Sequence, residues 1–122
     1  MANLNLIVLY VEDPAASAAF YEKLLGVTPA VMSPNFYACP MAGDGTLGLW
    51  RKCHVKPEPV SSGAANEIGI MLRDADAIAA CFQRWKADGV SIEQDLVTLD
   101  FGPTFVARDP DGHRIRVCLF DN

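Results

Sequence analysis

Residues 4–26 read LNLIVLYVEDPAASAAFYEKLLG, and residues 67–89 read EIGIMLRDADAIAACFQRWKADG. In both, a short apolar run rich in β-branched types ends at an aspartate, and an alanine-rich stretch then runs to a glycine. The runs at 4–11 and 67–74 are predicted strands. Asp13 and Asp74 are predicted helix N-caps, with Pro14 at the first helical position of the earlier helix. Gly26 and Gly89 are the stop signals. Ala16, Phe20 and Leu24 share one stripe of the first helix, and Ile78, Phe82 and Trp85 share one face of the second. Phe82 and Trp85 are read as ordinary core.

Working outward, three short strands follow each helix. In the first half they are VTPAVMS at 27–33, NFYACPM at 35–41 and TLGLWRK at 46–52. Pro34 and Gly43-Asp44-Gly45 supply the turns. In the second half they lie near 90–98, 103–108 and 114–120, with the Asp109-Pro110-Asp111-Gly112 turn before the last. Residues 53–64, CHVKPEPVSSGA, have no apolar period and read as a linker. The chain is thus one domain, 1–122, holding an internal repeat: module 1 at 1–52 and module 2 at 65–122. Val11-Glu12-Asp13 matches Leu72-Arg73-Asp74 at an offset of 61, and Leu47-Gly48-Leu49-Trp50 matches Ile115-Arg116-Val117-Cys118 at an offset of 68. The expected fold is α+β: two βαβββ modules forming a curved, half-open mixed sheet around a cavity.

Composition narrows the function. The chain has 122 residues, is 51% hydrophobic and carries a net charge of −5, which excludes disorder and argues against a general nucleic-acid binder. The first apolar run has no basic residues before it and closes on Glu12-Asp13, so neither a secretory signal nor a membrane span is expected. Cys39, Cys53, Cys81 and Cys118 form no CxxC pair, and the chain reads as reduced and cytoplasmic. No nucleophile elbow surrounds Ser61 or Ser62, and GDGTLG lacks the lysine and helix of a phosphate loop. Cys53 and His54 are expected to be sequence neighbours that face apart.

The repeat, with YVEDPAASAAFYEKLLGV in one half and FVARDPDGHRIRV in the other, resembles the vicinal oxygen chelate superfamily of glyoxalase I, extradiol dioxygenases and bleomycin-resistance proteins. The runs SPNFYACP, GDGTLGLW, EIGIMLRD and FGPTFVARDPDGHRIRVCLFD are similar to the phenazine-antibiotic-resistance proteins of that superfamily, which bind griseoluteate-type phenazines. Enzymes of the superfamily hold a divalent metal with one side chain from the first and one from the last strand of each half. Carried over, those positions fall on Leu6, Gly48, Glu67 and Arg116. Leucine and glycine offer no donor, and arginine is a permanent cation. His54 and His113 lie in a linker and a turn and fit no metal pair. No metal and no cofactor is expected. Glu67 and Arg116 are instead expected to form an ion pair, either filling the old metal position or leaving Arg116 to receive a ligand carboxylate or carbonyl.

Strand alternation extends the reading. If Gly48 faces the cavity, so do Thr46 and Trp50, with Leu6, Val8 and Tyr10, with Glu67, Gly69 and Met71, and with Arg114, Arg116 and Cys118. Phe36 or Tyr37 adds a ring, and the resemblance favours Phe36. Phe101 and Phe105 belong to a segment able to form a flap, with no indication of which turns inward. The expected ligand site is Trp50, Phe36, Tyr10, Met71, Glu67, Arg116 and Gly48. The resemblance implies a homodimer that sequesters a planar aromatic antibiotic such as a phenazine without turnover. A bleomycin-type drug binder, a metal-dependent glyoxalase-like lyase or isomerase, and a silent accessory domain are the alternatives.

Overall fold

The structure, a computed structural model, describes residues 2–60 and 66–120. Positions 61–64 of the expected linker, Ser61 and Ser62 among them, lie outside the described residues, as do 65, 121 and 122. The chain divides into two compact units, Met1–Ser62 and Gly63–Asn122.

The first unit runs β1 (Leu6–Val11), α1 (Pro14–Leu25), β2 (Val31–Met32), β3 (Phe36–Pro40) and β4 (Thr46–Arg51), then a single 3₁₀ turn at Lys52–His54. Asp13 caps α1: its Oδ1 accepts from the Ala15 N–H at 3.0 Å. Gly26 ends the helix with φ 71°, a left-handed conformation that a side chain would strain. The sheet order is β1-β4-β3-β2. β1 and β4 are parallel, pairing Leu6 with Thr46, Val8 with Gly48 and Tyr10 with Trp50. β3 runs antiparallel to β4 and sets Phe36 opposite Trp50. Leu9, Val11, Cys39, Leu47 and Leu49 are buried, as are Ala18 and Tyr21 of the helix. These side chains make the core between α1 and one face of the sheet.

Two expectations need correction here. The strand predicted over 27–33 is only Val31–Met32, because Pro29 has no N–H for a ladder. The stretch from 53 is not wholly featureless: Cys53 and His54 belong to the 3₁₀ turn, and Val55 is buried.

The second unit repeats the order with β5 (Glu67–Leu72), α2 (Ala75–Ala87), β6 (Ser91–Leu99), β7 (Gly102–Arg108) and β8 (Arg114–Leu119). Its sheet order is β5-β8-β7-β6. Asp74 Oδ1 accepts from the Ala77 N–H at 2.8 Å, and Gly89, just beyond the helix, has φ 82°. β5 and β8 are parallel and pair Gly69 with Arg116 and Met71 with Cys118. Ile78, Phe82 and Trp85 are buried, and Phe105 meets both rings edge-on, at centroid distances of 5.2 and 5.5 Å. Phe105 therefore belongs to the helix-side core, and Phe101, half exposed, does not. The architecture is α+β: two βαβββ modules, each a four-stranded mixed sheet under one helix. Among the described residues no helix is long and apolar enough to cross a membrane.

Candidate functional site

Each sheet has one face that its helix does not cover, and the two faces differ in chemistry. In the first unit, the β1–β4–β3 register brings Tyr10, Trp50 and Phe36 side by side. Trp50 sits centrally, with Tyr10 at a centroid distance of 6.3 Å and an angle of 82°. On its other side Phe36 lies at 6.4 Å and 85°. Edge-to-face contact is a favourable aromatic geometry, and it leaves ring faces that the partners do not stack upon. Tyr10 remains 41% exposed, and Trp50 and Phe36 are half-buried. Register also separates Phe36 from Tyr37: Tyr37 pairs with the buried Leu49 and so sits on the helix side.

Gly48 makes this face possible. A Cβ built there would stand 2.9 Å from Phe36 Cζ and 3.3 Å from Val8 Cγ2. The tip of the Phe36 ring therefore stands over the glycine, in space that any other residue would fill.

The uncovered face of the second unit is polar at its centre. Arg116 Nε donates to Glu67 Oε1 at 2.6 Å. Its Nη1 reaches Thr104 Oγ1 at 3.3 Å and Gln94 Oε1 at 3.5 Å. The guanidinium lies 5.7 Å from the Phe101 ring centroid, a cation–π contact. Thr104 is fully buried, and its hydroxyl donates to the Val117 carbonyl at 2.6 Å. Met71 lies in register with Cys118 and is 46% exposed. Nearby, Glu93 accepts from Arg108 at 2.9 Å and from Arg114 at 2.6 Å. The Arg114 hydrogen bond, then that of Arg108, holds the Glu93 carboxyl below the ordinary carboxylate range.

The residues at the four positions that the resemblance marks for metal ligands do not fit a metal. Leu6 has no donor atom, Gly48 lies beneath Phe36, and the carboxylate of Glu67 is bound by the Arg116 cation. Among the described residues one cluster brings three ligand-type side chains within 4.8 Å: Asp109, Asp111 and His113. Its hydrogen bonds describe a turn. Asp109 Oδ1 accepts from the Asp111 and His113 N–H groups, and Oδ2 lies 2.7 Å from His113 Nδ1.

Sequence reasoning missed three contacts. Gln94 reaches Arg116 because register shifts on either side of it upset the alternation of β6. Thr104 was readable only once Phe105 was known to face the helix. Cys53 and His54 do not face apart: Sγ lies 3.3 Å from Nδ1.

Two four-stranded sheets of this topology, each under one helix, define the glyoxalase-type βαβββ fold. Residues 3–117 match the family model described as the Glyoxalase/Bleomycin resistance protein/Dioxygenase superfamily, and the chain belongs to that superfamily. It is 34% identical over 121 residues to the phenazine antibiotic resistance protein EhpR of Enterobacter agglomerans, covering 96% of this chain and 92% of that one. A protein from Agrobacterium tumefaciens, solved by solution NMR, is 38% identical over the full length of both chains with a TM-score of 0.88. A glyoxalase-related enzyme from Fulvimarina pelagi shares the fold at 23% identity and a TM-score of 0.81, over 96% of this chain and 87% of that one.

Proposed function

We propose that this chain binds and sequesters a planar aromatic small molecule, in the manner of a drug-resistance protein and without turning it over. The observation that carries the reading is the Tyr10–Trp50–Phe36 row, three partly exposed rings on one uncovered sheet face with a glycine beneath one of them. A flat tricyclic ring system such as a phenazine gains by stacking on such rings, about 0.5–1.5 kcal/mol beyond the area it buries. The similarity to a phenazine antibiotic resistance protein supports the same ligand class.

In the second unit, Met71 offers a soft contact for a ring edge, and Arg116 offers a donor to a ligand carboxylate. Glu67 engages the guanidinium Nε from one side and competes there with a ligand carboxylate. The chain works as a homodimer in the cytoplasm, where its four cysteines, all unbridged, stay reduced.

The test is tryptophan fluorescence during titration with a phenazine carboxylic acid, with Trp50→Phe run beside the parent chain. The variant keeps Trp85 as its sole indole. Saturable quenching at two sites per dimer, largely lost in the variant, is the expected result. Quenching that persists unchanged in the variant places the ligand elsewhere, and absence of any saturable change refutes the ligand class. Sedimentation of the same sample measures the dimer. A lyase reading would require near-stoichiometric metal in the purified protein, which elemental analysis measures directly.

A further inference from the structure

The 3₁₀ turn after β4 carries a thiol and an imidazole in contact. Cys53 Sγ lies 3.3 Å from His54 Nδ1. Cys53 is the exposed member of the four cysteines, whereas Cys39 is buried and Cys81 and Cys118 are half-buried. Cys53 also lines a surface cavity of about 260 Å³, together with Lys52, Glu12, Glu58 and Pro59. A nucleophile, a base in contact with it and a concave space beside it are the elements of a thiol-addition site.

We propose that Cys53 is the chain's covalent attachment point for small soft electrophiles, α,β-unsaturated carbonyl compounds above all, with His54 as its base. The thiol proton passes from Sγ to Nδ1. Sulfur forms a bond to the β-carbon, the C=C π bond breaks, and its electron pair moves toward the carbonyl oxygen. Of the charged groups lining the cavity, the Lys52 ammonium favours that developing negative charge and the Glu12 and Glu58 carboxylates oppose it. The proton held by His54 then passes to the α-carbon. Thiol plus alkene gives a thioether, with nothing left over and no further reactant. Two of the three competing thiols are poorly placed. Burial pushes the Cys39 thiol up, aided by Glu22, and burial pushes that of Cys81 up against the opposing effect of Arg84.

The experiment treats the intact protein with substoichiometric N-ethylmaleimide at pH 7 and maps the adduct by peptide mass. The parent, Cys53→Ser and His54→Gln chains are compared, with far-UV circular dichroism to show that each is folded. Labelling concentrated on Cys53 by roughly tenfold or more over any other cysteine is expected, falling severalfold in His54→Gln. Label spread evenly over Cys81 and Cys118 overturns the proposal. So does a Cys53 rate at pH 7 that His54→Gln leaves unchanged, since exposure alone would then account for it. Phenazine binding is read by fluorescence and not by mass, so the two readings fail separately.

Discussion

The Phe36 ring covers Gly48 so closely that a Cβ at position 48 would approach Phe36 Cζ to 2.9 Å and Cε1 to 3.0 Å. Gly48→Ala must therefore tip the ring, which is the far end of a side chain and can move. Because the ring tip can move, the cost falls at the low end of overpacking, about 1 kcal/mol. Urea denaturation is expected to show a loss of that size. In a Phe36→Ala background the same substitution meets only Val8 Cγ2, at 3.3 Å, and most of its cost is expected to vanish. Equal costs in both backgrounds would show that the ring does not lie on the glycine.

Glu67 and Arg116 give opposite expectations for the binding of a carboxylated ring ligand. Arg116→Gln removes the donor and weakens affinity severalfold. Glu67→Gln removes the competing carboxylate, leaves the guanidinium with its Thr104 and Gln94 contacts alone, and strengthens affinity. Calorimetric titration of both variants checks the sign. A loss in both would mean that the pair serves only to hold the strands.

Glu93 supplies an acid-limb prediction. Its folded-state pKa is depressed by Arg114 and then Arg108, so its contribution to stability is full above the unfolded carboxylate value, about 4.3. That contribution is lost as pH falls through the lower, folded value. Glu93→Gln is expected to flatten the fall in melting temperature below that pH and to change its slope little near neutrality.

Asp109 is buried and satisfies two backbone N–H groups and the His113 ring in the β7–β8 turn. Asp109→Ala strands these partners, at a cost of about 1–3 kcal/mol. Asp109→Asn keeps an acceptor and is expected to lose less. Chemical denaturation ranks the two, and equal losses would mean that the charge on Asp109, rather than its acceptor geometry, holds the turn.

Elements bounded by local chemistry were readable from the residues alone. Asp13 with Pro14, Asp74, Gly26 and Gly89 each act within one helical turn, so the helices begin and end close to where the residues place them. Alternation placed Tyr10, Gly48 and Trp50 on one face because β1 and β4 pair without a bulge. It could not choose between Phe36 and Tyr37, since that choice depends on how β3 registers against β4. It failed at Gln94, where β6 shifts register, and it has no purchase on Cys53 and His54, which lie in a 3₁₀ turn. The length of β2 was misjudged where Pro29 interrupts an otherwise strand-like run.

The equivalent strand pairs of the two modules place their glycine on opposite partners: Val8 beside Gly48 in one, Gly69 beside Arg116 in the other. The vacancies are also unequal. Gly48 is already occupied by Phe36, whereas a Cβ at Gly69 meets nothing within 4 Å. Duplicated scaffolds diverge most readily where a new side chain displaces nothing. Position 69 is such a place: it can gain bulk or charge while both helix-side cores stay as they are, so a descendant of this chain could acquire a new preference for ligands there without first losing its fold.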